Sequence, residues 1–332
     1  MTGLARYFDE NPEVKMIVFT GKGGHGKTTC SAALSYYLAT VRKKRVLCLS
    51  IDFQASLGVI FGKDILDKDE VELVPGLSIV EVDVDKRIKK CQEETKRTIL
   101  ERYKLNKLPK DIEEYIETIS SEPATYETVA CEAIVELVAN KYNIYDMYIF
   151  DMPSLYYSIK MIIIAKTLTK WIEKLTEIRE KARKYRAIAA TFKGEKVKED
   201  SLLNELIMTS DKMKLLINTL MNPKETGFFM ILVPERTAIL DVERALDVLR
   251  QLGIKLSGII INQVYPIELL NNPGVPNILK YKVKEQQKCL NEIKEKFSKH
   301  IVAIIPAFDR EPKGLEMLDL VAEHLMYSRI KV

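Results

Sequence analysis

The sequence predicts an α/β fold: a doubly wound, mostly parallel sheet with a helical subdomain formed by two insertions. Three observations lead there. Short apolar runs rich in Val and Ile recur along the chain, and longer segments with helical patterning separate them, the arrangement of a parallel sheet wrapped by helices. Two of the separating segments, about 86–145 and 158–222, are too long to be simple crossovers. Strands are expected at 16–20, 45–51, 77–82, 147–151, 228–233, 258–262 and 302–305, and crossover helices at 30–41, 238–252 and 282–297.

The second long segment carries Ile164, Leu168, Trp171, Leu175, Ile178, Ala182, Tyr185 and Ile188. Steps of three and four mark one face of a long helix. The charged segment from Lys193 to Asp200, with Gly194 inside it, reads as a turn. A second stripe follows, Leu202, Leu206, Met213, Leu216 and Leu220, and Asn222-Pro223 ends it. Two readings of these stripes stand side by side. They bury against each other, or part of their apolar surface forms a groove for a client helix.

Bulk composition narrows the setting. At 332 residues, 47% apolar and 30% charged, the chain can build a large core, and we expect one domain over 1–332 with the insertions packed beside the sheet. A net charge of +4 gives no support to nucleic-acid binding. Cys30, Cys48, Cys91, Cys131 and Cys289 form no CxxC pair, so reduced thiols are expected, without disulfides or zinc. Residues 1–14 are polar and acidic, unlike a secretory signal, and no apolar run approaches the roughly 20 residues that span a bilayer. A cytoplasmic protein without an integral membrane segment is expected.

Chemistry concentrates at Gly21-Lys22-Gly23-Gly24-His25-Gly26-Lys27-Thr28-Thr29, which fits the Gly-x4-Gly-Lys-Ser/Thr phosphate loop. Glycines let backbone N–H groups approach phosphate oxygens closely, and the helix that follows aims its positive end at the same phosphates. Lys27 suits the β- and γ-phosphates, and the Thr28 hydroxyl suits Mg²⁺. Context agrees, with an apolar strand leading in and a helix leading out. ATP or ADP with Mg²⁺ is therefore the expected ligand.

Two acids stand at strand ends, Asp52 and Asp151. Ligands of open parallel sheets bind beyond the carboxyl ends of the strands, so both should face the phosphates. One would orient or deprotonate the attacking water and the other would hold Mg²⁺. The candidate magnesium donors are Thr28, Asp52 and Asp151. An acid at a strand end can also be a helix cap.

With these residues in place, the chain from about Met16 onward resembles the ArsA family of ATPases. This family includes the arsenite-pump ATPase and the ATPase that targets tail-anchored membrane proteins. Lys22 matches the signature lysine of its deviant phosphate loop. Ser50-Ile51-Asp52, then Ser56-Leu57 and Phe61-Gly62, resembles switch I, and Phe150-Asp151 followed by Ser158-Ile159-Lys160 resembles switch II. The stretch from Asn222-Pro223 through Val233-Pro234-Glu235 and Glu243-Arg244 to Ile260-Ile261-Asn262-Gln263 matches as well, as does Pro306-Ala307-Phe308-Asp309-Arg310-Glu311. The resemblance implies a homodimer in which Lys22 reaches the partner's nucleotide and supplies transition-state charge. It implies Asp52 as the water-activating acid, Asn262 at the adenine, and Pro306 and Phe308 in a loop closing over the base. The favoured reading is an ATPase that binds a hydrophobic transmembrane segment of a client protein. The alternatives are an energising subunit of a metalloid pump and a nucleotide switch without a client.

Departures from the family pattern accompany these matches. Switch I reads Asp52-Phe53-Gln54 where the family has Asp-Pro-Ala, and switch II reads Asp151-Met152-Pro153-Ser154-Leu155-Tyr156-Tyr157 where it has Asp-Thr-Ala-Pro-Thr-Gly-His. His25 replaces a small apolar residue. The interfacial cysteine pair that binds zinc in the targeting ATPase is missing.

Overall fold

The computed structural model describes residues 3–51, 56–66, 68, 70–193 and 200–328. In chain order they form α1 (Leu4–Glu10), β1 (Met16–Gly21), α2 (Lys27–Thr40), β2 (Val46–Ser50), α3 (Ser56–Phe61), β3 (Val71–Val74), β4 (Leu77–Glu81), α4 (Val84–Tyr103), α5 (Lys110–Ser120) and α6 (Pro123–Lys141). There follow β5 (Met147–Asp151), α7 (Leu155–Lys193), α8 (Ser201–Met221), β6 (Thr226–Leu232), α9 (Arg236–Gln251), β7 (Leu256–Val264), α10 (Asn277–Phe297), β8 (Ile301–Pro306) and α11 (Gly314–Met326).

The strands form one sheet in the order β3-β4-β2-β5-β1-β6-β7-β8. Among the described residues only the β3–β4 pair is antiparallel. Seven carboxyl ends therefore lie along one edge of the sheet, with β1 near its middle. Burial explains the composition of the strands. Every residue of β1, β2, β4, β5 and β6 is buried, so these strands read as unbroken apolar runs.

All seven expected strands are present, and the sheet holds an eighth, β3, at its edge. Val71-Glu72-Leu73-Val74 is half-exposed, so it lacks the continuous apolar pattern of its neighbours. Pro75-Gly76 turns it into β4, with Gly76 at φ 87°. Another element that the sequence reading lacked is α1, whose Leu4 and Ala5 are buried. Gly3 admits α1 because a Cβ there would stand 2.3 Å from the Met326 carbonyl oxygen at the end of α11.

The chain divides into two compact units, Met1–Asp83 with Asn143–Ile159 and Leu220–Val332, and Val84–Tyr142 with Lys160–Thr219. The first holds the sheet and the core, in which Leu34, Ile17, Phe19, Ile149 and Ile231 are completely buried. The second is helical. Within it Arg87 pairs with Glu136 at 3.1 Å and Lys96 with Glu113 and Glu117 at 3.5 and 3.4 Å, joining α4 to α6 and to α5. Lys160 on α7 pairs with Glu127 on α6.

The two apolar stripes meet different fates. On α8, Met213 and Leu216 are buried. At the start of that helix the buried residue is Leu203 rather than the expected Leu202. On α7, Trp171 is 69% exposed, Leu175 51%, Ile178 55%, Tyr185 73% and Ile188 56%. The expectation that the stripes simply bury each other fails for the distal part of α7. Gly194, in the expected turn, lies outside the described residues.

Candidate nucleotide site

The phosphate loop leaves the end of β1 and feeds directly into α2. Gly26 precedes the helix at φ 87° and ψ 26°, a left-handed conformation that glycine adopts without strain. A Cβ at Gly26 would sit 2.2 Å from the Asn262 amide nitrogen, and one at Gly21 2.2 Å from the Ile231 carbonyl oxygen. No side chain caps the first turn of α2, and no acid lies in it. The first turn of α2 is thus where a phosphate loop presents its backbone N–H groups to an anion.

Lys27 is buried, and its Nζ donates to the Lys22 carbonyl at 3.1 Å. The Lys22 side chain itself is exposed, as are Gly23 and Gly24. His25 is buried, with Nδ1 3.4 Å from the Ile231 carbonyl oxygen. Burial pushes its imidazole below the ordinary histidine pKa, assisted by the charges of Lys27 and Lys22 and opposed by the Ile231 contact and Glu235.

Oxygen donors gather beside the loop. The Thr28 hydroxyl lies 3.4 Å from that of Ser56 on α3. Asp151 is buried at the end of β5 and accepts from Ser50 Oγ at 3.1 Å. Its neighbour Met152 donates its N–H to the Phe19 carbonyl at 3.3 Å, holding the end of β5 against β1. Thr20 and Ser158 hydroxyls lie 3.4 Å apart, so the first turn of α7 also borders this edge. Asp52, expected to be both catalytic and a metal donor, lies outside the described residues, as do Phe53 and Gln54. The donors that are placed are hard oxygens, which fits Mg²⁺ rather than a soft metal.

On the far side of the loop, Asn262 Nδ2 donates to the His25 carbonyl at 2.8 Å, and Gln263 Nε2 donates to the Gly24 carbonyl at 3.2 Å. Asn262 therefore braces the loop, a contact additional to the adenine role that the resemblance implies. Pro306 ends β8, and the Ala307 N–H donates to the Val264 carbonyl at 2.9 Å. Phe308 packs against the core, with its ring 6.0 Å from that of His324.

Two contributors escaped the sequence reading. Glu81, buried at the end of β4, accepts the Leu57 N–H at 3.0 Å and so anchors α3, which carries Ser56. Gln286, on α10, holds the backbone on both sides of Val264, at the Gln263 carbonyl and the Tyr265 N–H. Glu81 could have been found as an acid closing an apolar strand, the signal that picked out Asp52 and Asp151. Gln286 had no such signal, because a glutamine in a polar helix looks solvated.

The thiols are not gathered into a site. Cys30, Cys48, Cys131 and Cys289 are buried and Cys91 is exposed, and no group of three or more His, Cys, Asp or Glu among the described residues is placed to hold a metal ion. Burial pushes the Cys48 thiol up to about 12 and raises Cys30 as well, so both stay protonated. No helix among the described residues is long and apolar enough to cross a membrane.

A glycine-lined loop between a central parallel strand and an uncapped helix, with a buried lysine and flanking oxygen donors, defines a P-loop nucleoside triphosphatase. The sequence profile of the anion-transporting ATPase family, ArsA, matches residues 14–327, and the chain belongs to that family. It is an ATP-hydrolysing enzyme. Its relatives include a candidate arsenical pump-driving ATPase, the second of two in Aquifex aeolicus, which is 26% identical over 92% of this chain and 97% of that protein. The ATPase ASNA1 homolog 2 of Paramecium tetraurelia is 26% identical over 96% of this chain and 95% of its own. ATPase get3 of Schizosaccharomyces japonicus is 24% identical over 97% and 95%.

Proposed function

We propose that the protein is a homodimeric, cytoplasmic molecular switch in which ATP binding and hydrolysis control the capture of a hydrophobic client helix. The observation that carries this reading is the exposed apolar stripe of α7, from Trp171 to Ile188, within a helical unit built from both insertions. An apolar surface of that length is costly to leave in water and marks a docking face. Similarity to proteins named ASNA1 homolog and get3 supports the same reading.

In the proposed mechanism, Lys27 and the amides from Gly21 to Thr29 bind the phosphates and set the γ-phosphoryl group in line for attack. Thr28, Asp151 and Asp52 would hold Mg²⁺, which when bound would neutralise phosphate charge. Asp52 orients the water and takes its proton. Lys22 of the second subunit stabilises the charge that develops on the leaving oxygen. Asn262, Pro306 and Phe308 border the base.

The test is titration of the purified protein with a fluorescent peptide of about 20 apolar residues, the length that spans a bilayer, with and without ATP and Mg²⁺. Binding that changes with nucleotide is the expected result. Equal or absent binding in both conditions, with the ATPase intact, would leave a nucleotide switch without this client.

A further inference from the structure

We infer that Gln286 is a positioning residue for the phosphate loop, acting through a bulge at the end of β7. Successive side chains on a regular strand point to opposite faces, yet Asn262 and Gln263 both bond the same loop, at the His25 and Gly24 carbonyls. The bulge makes this possible. The register of β7 against β8 shifts between Ile261 and Val264, and Gln263 stands at φ 56°. A non-glycine residue in the left-handed region is strained and persists only where its surroundings hold it. Bulges next to active sites commonly re-aim a side chain in this way.

Gln286 supplies the hold. It is buried on α10, and one side-chain amide makes two bonds across the bulge. Its Nε2 donates to the Gln263 carbonyl at 2.9 Å, and its Oε1 accepts the Tyr265 N–H at 2.7 Å. These bonds fix the peptides on both sides of Val264, the first of them the peptide that follows the strained Gln263. The chain of contacts is then Gln286 to the Gln263 backbone, Gln263 Nε2 to the Gly24 carbonyl, and the Gly24 carbonyl to the set of the loop. With Gln286 removed, the bulge can relax, the Gln263 amide swings off Gly24, and the loop loses its preorganised form.

The inference rests on residues 21–29 binding ATP, and the test separates the two. Kd for a slowly hydrolysed ATP analogue, kcat and Tm are measured for Gln286→Leu, Gln263→Ala, the double variant and Lys27→Ala. Gln286→Leu is expected to raise Kd about tenfold, the worth of one to two hydrogen bonds, with kcat at saturating ATP changing less. In the Gln263→Ala background the same substitution should add little to Kd, because the relay is already cut. Gln286→Glu keeps the acceptor for Tyr265 but turns an acceptor on the Gln263 carbonyl. It should weaken binding as well, and it serves if the leucine variant folds poorly. A lower Tm with unchanged Kd, or penalties that add fully in the double variant, would overturn the inference while Lys27→Ala still abolishes binding. Normal ATP binding by Lys27→Ala would overturn the loop assignment and this inference together.

Discussion

Lys27 is a buried ammonium that donates to a backbone carbonyl. In the phosphate-loop pattern this lysine is the side chain that reaches the β- and γ-phosphates, through charge-assisted hydrogen bonds. Lys27→Ala is therefore expected to abolish ATP binding in calorimetry. His25 makes a separate prediction. Its folded-state pKa lies below the ordinary value because the ring is buried. Above about pH 6.5 both folded and unfolded forms are neutral there, and the residue contributes no pH dependence. As pH falls below that value, the unfolded chain takes up the proton first and stability drops until the folded pKa is reached. The slope is at most about 1.4 kcal/mol per pH unit. In urea unfolding between pH 7 and pH 5, wild type should lose more stability than His25→Gln. Parallel curves would mean that the folded protein does not hold His25 neutral.

At the scale of elements, the sheet was legible because parallel strands are buried on both faces and leave unbroken apolar runs. β3 was missed because an edge strand is half-exposed and its Val-Glu-Leu-Val is short. The loop was legible because its chemistry is confined to contiguous residues, whereas Gln286 and Glu81 act across more than 20 residues of chain, through bonds that no local pattern encodes. The α7 stripe shows the limit of periodicity. It identified the helix and its apolar face, but not whether anything covers that face. Residues as exposed as these usually tolerate substitution within about 0.5 kcal/mol each. Replacing Trp171, Leu175 and Ile178 together by Ser should thus leave Tm and basal ATPase near wild type, while binding of an apolar peptide is lost. A large drop in Tm would show that the stripe is packed in solution.

At the scale of the whole molecule, the proposed mechanism needs a second copy. The Lys22 side chain is exposed, and its backbone carbonyl already serves Lys27 of the same chain. A lysine early in the loop cannot easily duplicate the role of Lys27, so its charge is useful at a phosphate supplied by the other subunit. The sequence holds no CxxC pair of the kind that ties two copies through zinc. Association should then depend on the nucleotide, whose negative charge gives Lys22 its partner across the interface. Sedimentation with Mg²⁺ and a slowly hydrolysed ATP analogue is expected to show a monomer or weak dimer becoming a dimer. Lys22→Ala should bind the analogue through Lys27 yet lose that response, and its kcat should fall by roughly 10³-fold or more, the worth of a charged residue supplied in trans. A chain that remains monomeric at saturating analogue, with its ATPase intact, would remove the trans-lysine step and leave hydrolysis to the residues of a single subunit.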